Sequence, residues 1–138
     1  MDINYTKVCR SLLKNLPPKM SDVIERRFGL KTGKRETLEA IGKDHGITRE
    51  RVRQIEEEGF SRIQSKAKNH KKVFQHFNDI LDSFGGVKKE GTLLSFLGGK
   101  KYQNQALFLL TLTDNIEKHV EDKDALMKKK EYLDGLGR

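Results

Sequence analysis

The stretch "GITRERVRQIEEEGFSRI", residues 46–63, decides the fold of the first half of this chain. Val52, Ile55 and Ile63 recur at helical spacing, which predicts an amphipathic helix with one buried face. The N-terminal turns of the helix are basic, with arginines at 49, 51 and 53, and the turn that follows is acidic, with glutamates at 56, 57 and 58. We expect the N-terminal turns to approach a polyanion and the acidic turns to point elsewhere.

A helix-turn-helix is predicted around this stretch. Thr37 is a plausible N-cap for a helix that runs through Lys43, and Thr48 is a plausible N-cap for the helix that follows. Gly42 has no Cβ to hold the two helices apart, and Gly46 can adopt the left-handed conformation that the tight turn needs. Two short helices with these caps and glycines are typical of a helix-turn-helix.

Two more helices are predicted upstream of this pair. Apolar residues at helical spacing indicate one helix over residues 3–15 and another over about 19–28. Pro17 and Pro18 separate them, because proline disfavours helix just before it and suits a first helical turn. In the second of these helices, Arg26 and Arg27 lie opposite the apolar positions. The N-terminal region is therefore predicted to contain four helices.

The second half of the chain is predicted to be a separate module. Three amphipathic or apolar helices are followed by alternating apolar and polar residues from Ile116 and a turn at Asp122–Asp124, which favours a small β-hairpin. Three helices and a hairpin follow the winged-helix order, and a purely helical ending is the alternative. The predicted fold class is mainly α, with a helix-turn-helix domain at 1–68 and a winged-helix-like three-helix domain at 69–138.

Charge makes nucleic acid the first candidate partner. The chain of 138 residues has a formal net charge of +8. Residues 1–68 hold 16 Lys/Arg against 10 Asp/Glu, and residues 69–138 hold 12 against 10, so the excess lies mostly in the half with the arginine-rich helix. No apolar run approaches the roughly 20 residues of a membrane span. We expect a cytoplasmic protein that has no membrane partner.

Little in the sequence supports a catalytic, metal-binding or cofactor-binding site. Cys9 is the single cysteine, so neither an internal disulfide nor a multi-cysteine metal site can form. The four histidines lack metal-ligand spacing. "GGKK" at 98–101 lacks the upstream glycine and the Ser/Thr of a phosphate-binding loop. We expect no enzyme, no metal and no cofactor.

One face of the predicted second helix carries residues suited to contact bases. Arg49 and Arg53 are four positions apart, as are Glu50 and Gln54, so all four share a face. The first two turns of a recognition helix enter the major groove, where Arg pairs with guanine, Gln with adenine and a carboxylate with the cytosine amino group. Thr48 and its neighbouring N–H groups suit a phosphate. A solvated helix with ion pairs is the alternative.

The segments "LPPKMSDVIERRFGL" and "TLEAIGKDHGITRERVRQIEEEGFSRIQ" together resemble region 4 of sigma-70-type bacterial RNA polymerase sigma factors. The resemblance covers roughly residues 12–65. It implies a helix-turn-helix that binds the upstream promoter hexamer and docks on the flap of the polymerase β subunit. No segment resembles regions 2 and 3, so promoter melting is not expected of this chain.

The resemblance also implies roles for single residues. Base contacts fall on Arg49, Glu50 and Gln54, while Arg53 matches a contact to a base or to the backbone. Thr37 and Thr48 match phosphate-contacting caps of the family, and we also expect Lys34, Arg35 and Arg51 to contact phosphates. Glu57 and Glu58 depart from the family, which has small and basic residues there, and we expect them to repel phosphates or to form a protein-docking surface.

The second module resembles winged helices of the polymerase delta-subunit kind through "SFGGVKKEGTLLSFL" and its apolar third helix. That helix offers only Gln103, Asn104 and Gln105 as polar contacts, so a protein contact is at least as well supported as DNA binding. Lys128–Lys130 suit either a phosphate contact or, preferably, a solvated charge run.

We predict a sequence-specific DNA-binding transcription regulator that contacts RNA polymerase. The alternative is an adaptor that docks on polymerase, or on a sigma partner, and scarcely touches DNA.

Overall fold

The computed structural model describes residues 2–113, 116–121 and 124–129. The chain divides into two compact units. One is Thr6–Asn69, and the other combines the residues before Thr6 with those after Asn69. The predicted mainly α class is confirmed. Whether the two halves are independent domains with a boundary at 68/69 stays a prediction.

Helices form most of the N-terminal unit. In chain order they are α1 (Tyr5–Leu13), α2 (Pro18–Phe28), α3 (Leu38–His45), α4 (Arg49–Ala67) and a 3-10 turn (Lys68–His70). Pro17 is the N-cap residue of α2 and Pro18 is its first residue, as the sequence predicts. α3 continues two residues beyond the predicted Lys43, because it ends only where Gly46 turns left-handed, at φ +67°.

The core of this unit lies between α2, α3 and α4. Its buried centre consists of Met20, Val23, Ile41, Val52 and Ile55. Further along α4 the backbone of Gly59 packs directly on α2, where a Cβ at position 59 would lie 2.5 Å from Ile24 Cδ1. Because Gly59 has no side chain, α4 can approach α2 closely at this crossing.

The second unit combines three helices with a small antiparallel sheet. Its elements are α5 (Lys71–Ser83), β1 (Val87–Lys89), α6 (Glu90–Gly98), α7 (Gln103–Leu112), β2 (Ile116–Glu121) and β3 (Asp124–Lys129). The strand order is β1-β3-β2, with Val87 opposite Lys128 and Ile116 opposite Lys129. The β2–β3 pair confirms the predicted hairpin, although residues 122–123 of its predicted turn lie outside the described residues.

Strand β1 was not predicted from the sequence. It has three residues, which is too short to show an alternating pattern, and it forms by pairing with β3 at the far end of the chain. α7 matches its predicted apolar character, with six of its ten residues buried. No described helix combines the length and the apolar composition that a membrane crossing requires.

Candidate nucleic-acid interface

The turn between α3 and α4 is built by local backbone requirements. The Ile47 N–H donates to the Gly42 carbonyl oxygen at 2.9 Å, which closes the turn after the left-handed Gly46. Thr48 Oγ1 then accepts a hydrogen bond from the Arg51 N–H at 3.1 Å and begins α4. One free N–H of the first turn is thereby satisfied, and the positive end of the helix faces solvent beside Thr48.

The four predicted base-contacting residues come together on the exposed side of the first turns of α4. The side chains of Arg49, Glu50 and Arg53 are 67%, 60% and 43% exposed, and Gln54 is exposed as well. The opposite side of the same turns is buried, with Val52 at 0%. The helix therefore presents these polar side chains away from the core.

Ion pairs and hydrogen bonds link the exposed side chains to one another. Arg53 Nε donates to both carboxylate oxygens of Glu50, at 3.1 and 3.0 Å. This hydrogen bonding lowers the pKa of Glu50 below its ordinary value and raises the pKa of Arg53, so both stay charged at neutral pH. Arg49 Nη1 lies 3.3 Å from Glu39 Oε1 of α3, and Arg51 Nη1 donates to Gln54 Oε1 at 3.4 Å.

The three consecutive glutamates point in different directions. Glu56 turns inward and accepts from Arg27 Nε of α2 at 3.2 Å, whereas Glu58 pairs along the helix with Arg62 at 2.9 Å. Glu57 pairs with Arg53. The expectation that the acidic turns point away from the basic face is wrong for Glu57, because residues four apart on a helix share one face. A protein-docking role for Glu57 and Glu58 stays a prediction.

The predicted phosphate contacts lie at the starts of α3 and α4 and in the loop before α3. Thr37 Oγ1 accepts from the Ala40 N–H at 3.1 Å, so Thr37 and Thr48 are both confirmed as helix caps. Lys34 and Arg35 are exposed in the loop that precedes α3, and Arg51 is exposed in the first turn of α4. Their contacts to phosphate stay predictions.

No pattern in the sequence predicts the ionic cluster around Arg26. Arg26 Nε and Nη2 donate to Glu36 Oε2 and Oε1 at 2.9 and 2.7 Å, and Nη2 also pairs with Asp44. Arg27 Nη1 donates to the Glu36 carbonyl oxygen at 3.1 Å. These arginines lie opposite the apolar face of α2, as predicted, but they tie α2 to the following loop and to α3 instead of facing solvent freely.

In the second unit, neither the polar residues at the start of α7 nor Lys128 is fully exposed. Gln103, Asn104 and Gln105 are half-buried, and Gln103 Nε2 donates to the Gly99 carbonyl oxygen at 2.9 Å. Lys128, on the central strand β3, is only 9% exposed, so it is not part of a solvated charge run. The side chain of Lys129 and all of Lys130 lie outside the described residues.

Among the described residues, neither Cys9 nor a group of metal-binding side chains forms a second site. Within the residues that the structure describes, no three His, Cys, Asp or Glu side chains are grouped so that they could hold a metal ion. Cys9 is buried, and burial raises the pKa of its thiol to about 12. The thiol therefore stays protonated and unreactive at neutral pH.

Comparison with known proteins identifies the segment that contains this surface. Residues 12–65 match the family model of sigma-70, region 4. This segment is therefore similar to sigma-70 region 4. The chain is 38% identical over 58 residues to the RNA polymerase principal sigma factor HrdD of Streptomyces coelicolor, covering 42% of the chain and 18% of that protein. It is 38% identical over 60 residues to the RNA polymerase sigma factor SigA of Clostridium acetobutylicum, covering 44% and 16%.

A plant protein shows the same partial match. The RNA polymerase sigma factor sigB of Arabidopsis thaliana is 41% identical over 59 residues, covering 43% of this chain and 10% of that protein. The chain thus spans less than a fifth of the length of these curated relatives. Sigma-70 region 4 is a DNA-binding, non-enzymatic domain family, so the match supports a DNA-binding role related to RNA polymerase for residues 12–65.

Proposed function

We propose that the region 4 domain binds promoter-type duplex DNA by placing the first two turns of α4 in the major groove. The observation that carries this proposal is the exposed face formed by Arg49, Glu50, Arg53 and Gln54 at the capped start of the helix. An α-helix fits the major groove, and each of these side-chain types has a matching base edge there. The proposed activity is regulation of transcription, without enzymatic chemistry, in the cytoplasm.

Phosphate contacts would orient the helix on the duplex. Two helix N-termini, at Thr37 and Thr48, carry N–H groups that suit phosphate oxygens, and Lys34, Arg35 and Arg51 supply positive charge beside them. Such contacts give affinity for any sequence, whereas the face of α4 gives the sequence preference. The proposed partners are therefore duplex DNA and RNA polymerase, including its β flap.

The sharpest test compares substitutions on the proposed base-contacting face with matched substitutions further along the same helix. Arg49→Ala and Gln54→Ala should each weaken binding to the preferred duplex by about 1–3 kcal/mol and weaken binding to random duplex less. The controls are Arg62→Ala and Gln64→Ala, which remove exposed side chains of the same types from the C-terminal half of α4. The measurement is fluorescence anisotropy on both duplexes.

Comparing affinities for the two duplexes separates base contacts from electrostatic attraction that does not depend on sequence. If Arg49→Ala and Gln54→Ala reduce affinity equally on specific and random DNA, the base-contacting assignment is wrong. If the control variants lose as much specific affinity as the test variants, the DNA-contacting surface extends beyond the first turns. The preferred duplex is obtained beforehand by selection from random sequences.

A second candidate function is an adaptor that docks on RNA polymerase or a sigma partner and scarcely touches DNA. It is favoured by the pairing of Arg53 with carboxylates of its own helix and by the exposed Glu58. For the adaptor we expect an Arg49→Ala/Arg53→Ala double variant to retain RNA polymerase in a pull-down while the unmodified chain fails to shift promoter DNA. Loss of both interactions in the double variant would contradict the adaptor.

A further inference from the structure

Arg53 lies between two carboxylates of its own helix. Glu50, three residues earlier, accepts from Arg53 Nε at 3.1 and 3.0 Å and from Nη2 at 2.5 Å. Glu57, four residues later, pairs with Nη1. All three nitrogens of the guanidinium group are therefore engaged within the protein, although Arg53 is 43% exposed at the surface proposed to meet DNA.

The two carboxylates differ in what DNA would do to them. A guanidinium has five N–H donors in a fixed fork, and a phosphate or a guanine edge uses two of them side by side. Glu50 belongs to the proposed base-contacting face and can itself accept from a cytosine amino group. Glu57 lies two turns beyond Glu50 and outside the proposed base-contacting face, so in a complex with DNA its negative charge competes for Arg53 and repels the phosphates nearby.

We propose that Glu57 is a built-in competitor of DNA at Arg53, which lowers the affinity of the domain for any duplex without changing its sequence preference. This inference rests on the proposed function, since it assumes that the face of α4 meets DNA. Glu57 is 64% exposed, and an exposed ion pair is weak and dissociates readily. The competition therefore lowers the affinity and does not abolish binding.

The test compares Glu57→Gln with Glu58→Gln in the full chain. Both variants remove one negative charge from adjacent positions of α4, but Glu58 pairs with Arg62 and not with Arg53. We expect Glu57→Gln to tighten binding to the preferred and to random duplexes by a similar factor, about three- to tenfold at ~0.1 M salt, with a steeper salt dependence. Glu58→Gln should change both affinities by less than about twofold.

A double-mutant cycle shows whether Glu57 acts through Arg53. The gain from Glu57→Gln should disappear in an Arg53→Ala background. A gain in affinity that persists in that background, or an equal gain in Glu58→Gln, would overturn the proposal. The effect would then come from the net charge of the protein and not from the pair with Arg53. An unchanged affinity in Glu57→Gln would overturn it as well.

The same measurements distinguish failure of this inference from failure of the proposed function. If the unmodified chain prefers its site and Glu57→Gln binds with unchanged affinity, the proposed function stands and the inference fails. The unmodified chain could instead show no sequence preference while Glu57→Gln still gains affinity through Arg53. In that case Glu57 limits the binding of any polyanion, as inferred, and the proposed base contacts are wrong. If neither protein binds any duplex, the inference is overturned together with the proposed function.

Discussion

Replacing Gly42 with valine is expected to lower the free energy of unfolding by about 3 kcal/mol, at the upper end of the usual range for an overpacked site. A Cβ at position 42 would lie 2.7 Å from the carbonyl oxygen of Ile47 and 3.3 Å from Cγ2 of Val52. The Ile47 oxygen belongs to the backbone of the turn, so a rotamer change cannot relieve the clash. Urea unfolding followed by circular dichroism measures the loss.

Gly91→Ala is the control for the effect of removing a glycine from a helix. Apart from its chain neighbours and the backbone of its own helix, no atom lies within 4 Å of a Cβ built at Gly91 in α6, so this variant should be as stable as the unmodified chain or slightly more so. A loss below about 1 kcal/mol in Gly42→Val would contradict the prediction and show that the turn can yield. Because relief of the clash moves the start of α4, the same variant should also lose duplex binding.

The helix-turn-helix could be predicted from sequence because each of its requirements is local. Gly42 and Gly46 are needed by the turn that they flank, and Thr37 and Thr48 cap helices that begin at the next residue. Such requirements act over a few residues, so they leave a pattern in a short stretch. The exposed face of α4 followed from the same helical spacing, since the buried Val52 fixes which side faces solvent.

The parts that could not be predicted depend on residues distant in the chain. Arg26 meets Glu36 and Asp44 only after α2, the loop and α3 have packed, and no periodicity encodes that meeting. Strand β1 exists only because it pairs with β3, some 40 residues later. The Arg53–Glu57 pair is different, because its four-residue spacing was visible in the sequence, and an explicit application of the helical rule would have found it.

Arg26→Met is expected to lower the free energy of unfolding at pH 7 by about 2–3 kcal/mol. Removing one partner of a fully buried ion pair costs about 3–5 kcal/mol, and the value is reduced here because the side chains of Arg26, Glu36 and Asp44 are 21%, 32% and 63% exposed. Methionine keeps most of the side-chain volume, so the loss reports the missing guanidinium. Without it, Glu36 loses both of its short hydrogen bonds and Asp44 loses its partner.

The size of this loss should depend on pH. Hydrogen bonding to Arg26 lowers the pKa of Glu36 below its ordinary value of 4.5, so the folded state binds that proton less readily than the unfolded state. The stabilisation is complete above pH 4.5 and is lost as the pH falls through the folded-state pKa. The difference in unfolding free energy between the unmodified chain and Arg26→Met should therefore shrink steadily on acidification below that value.

Lys31→Met provides the matched control for loss of a positive charge. Lys31 is 76% exposed and pairs with Glu25 at 3.1 Å, so its removal should cost at most about 0.5 kcal/mol at any pH. A loss in Arg26→Met that stayed constant between pH 7 and pH 3 would mean that packing around the side chain, and not the ion pairs, provides the stability. A loss as small as that of Lys31→Met would mean that water stabilises the carboxylates as well as Arg26 does, because surface ion pairs gain little over hydration.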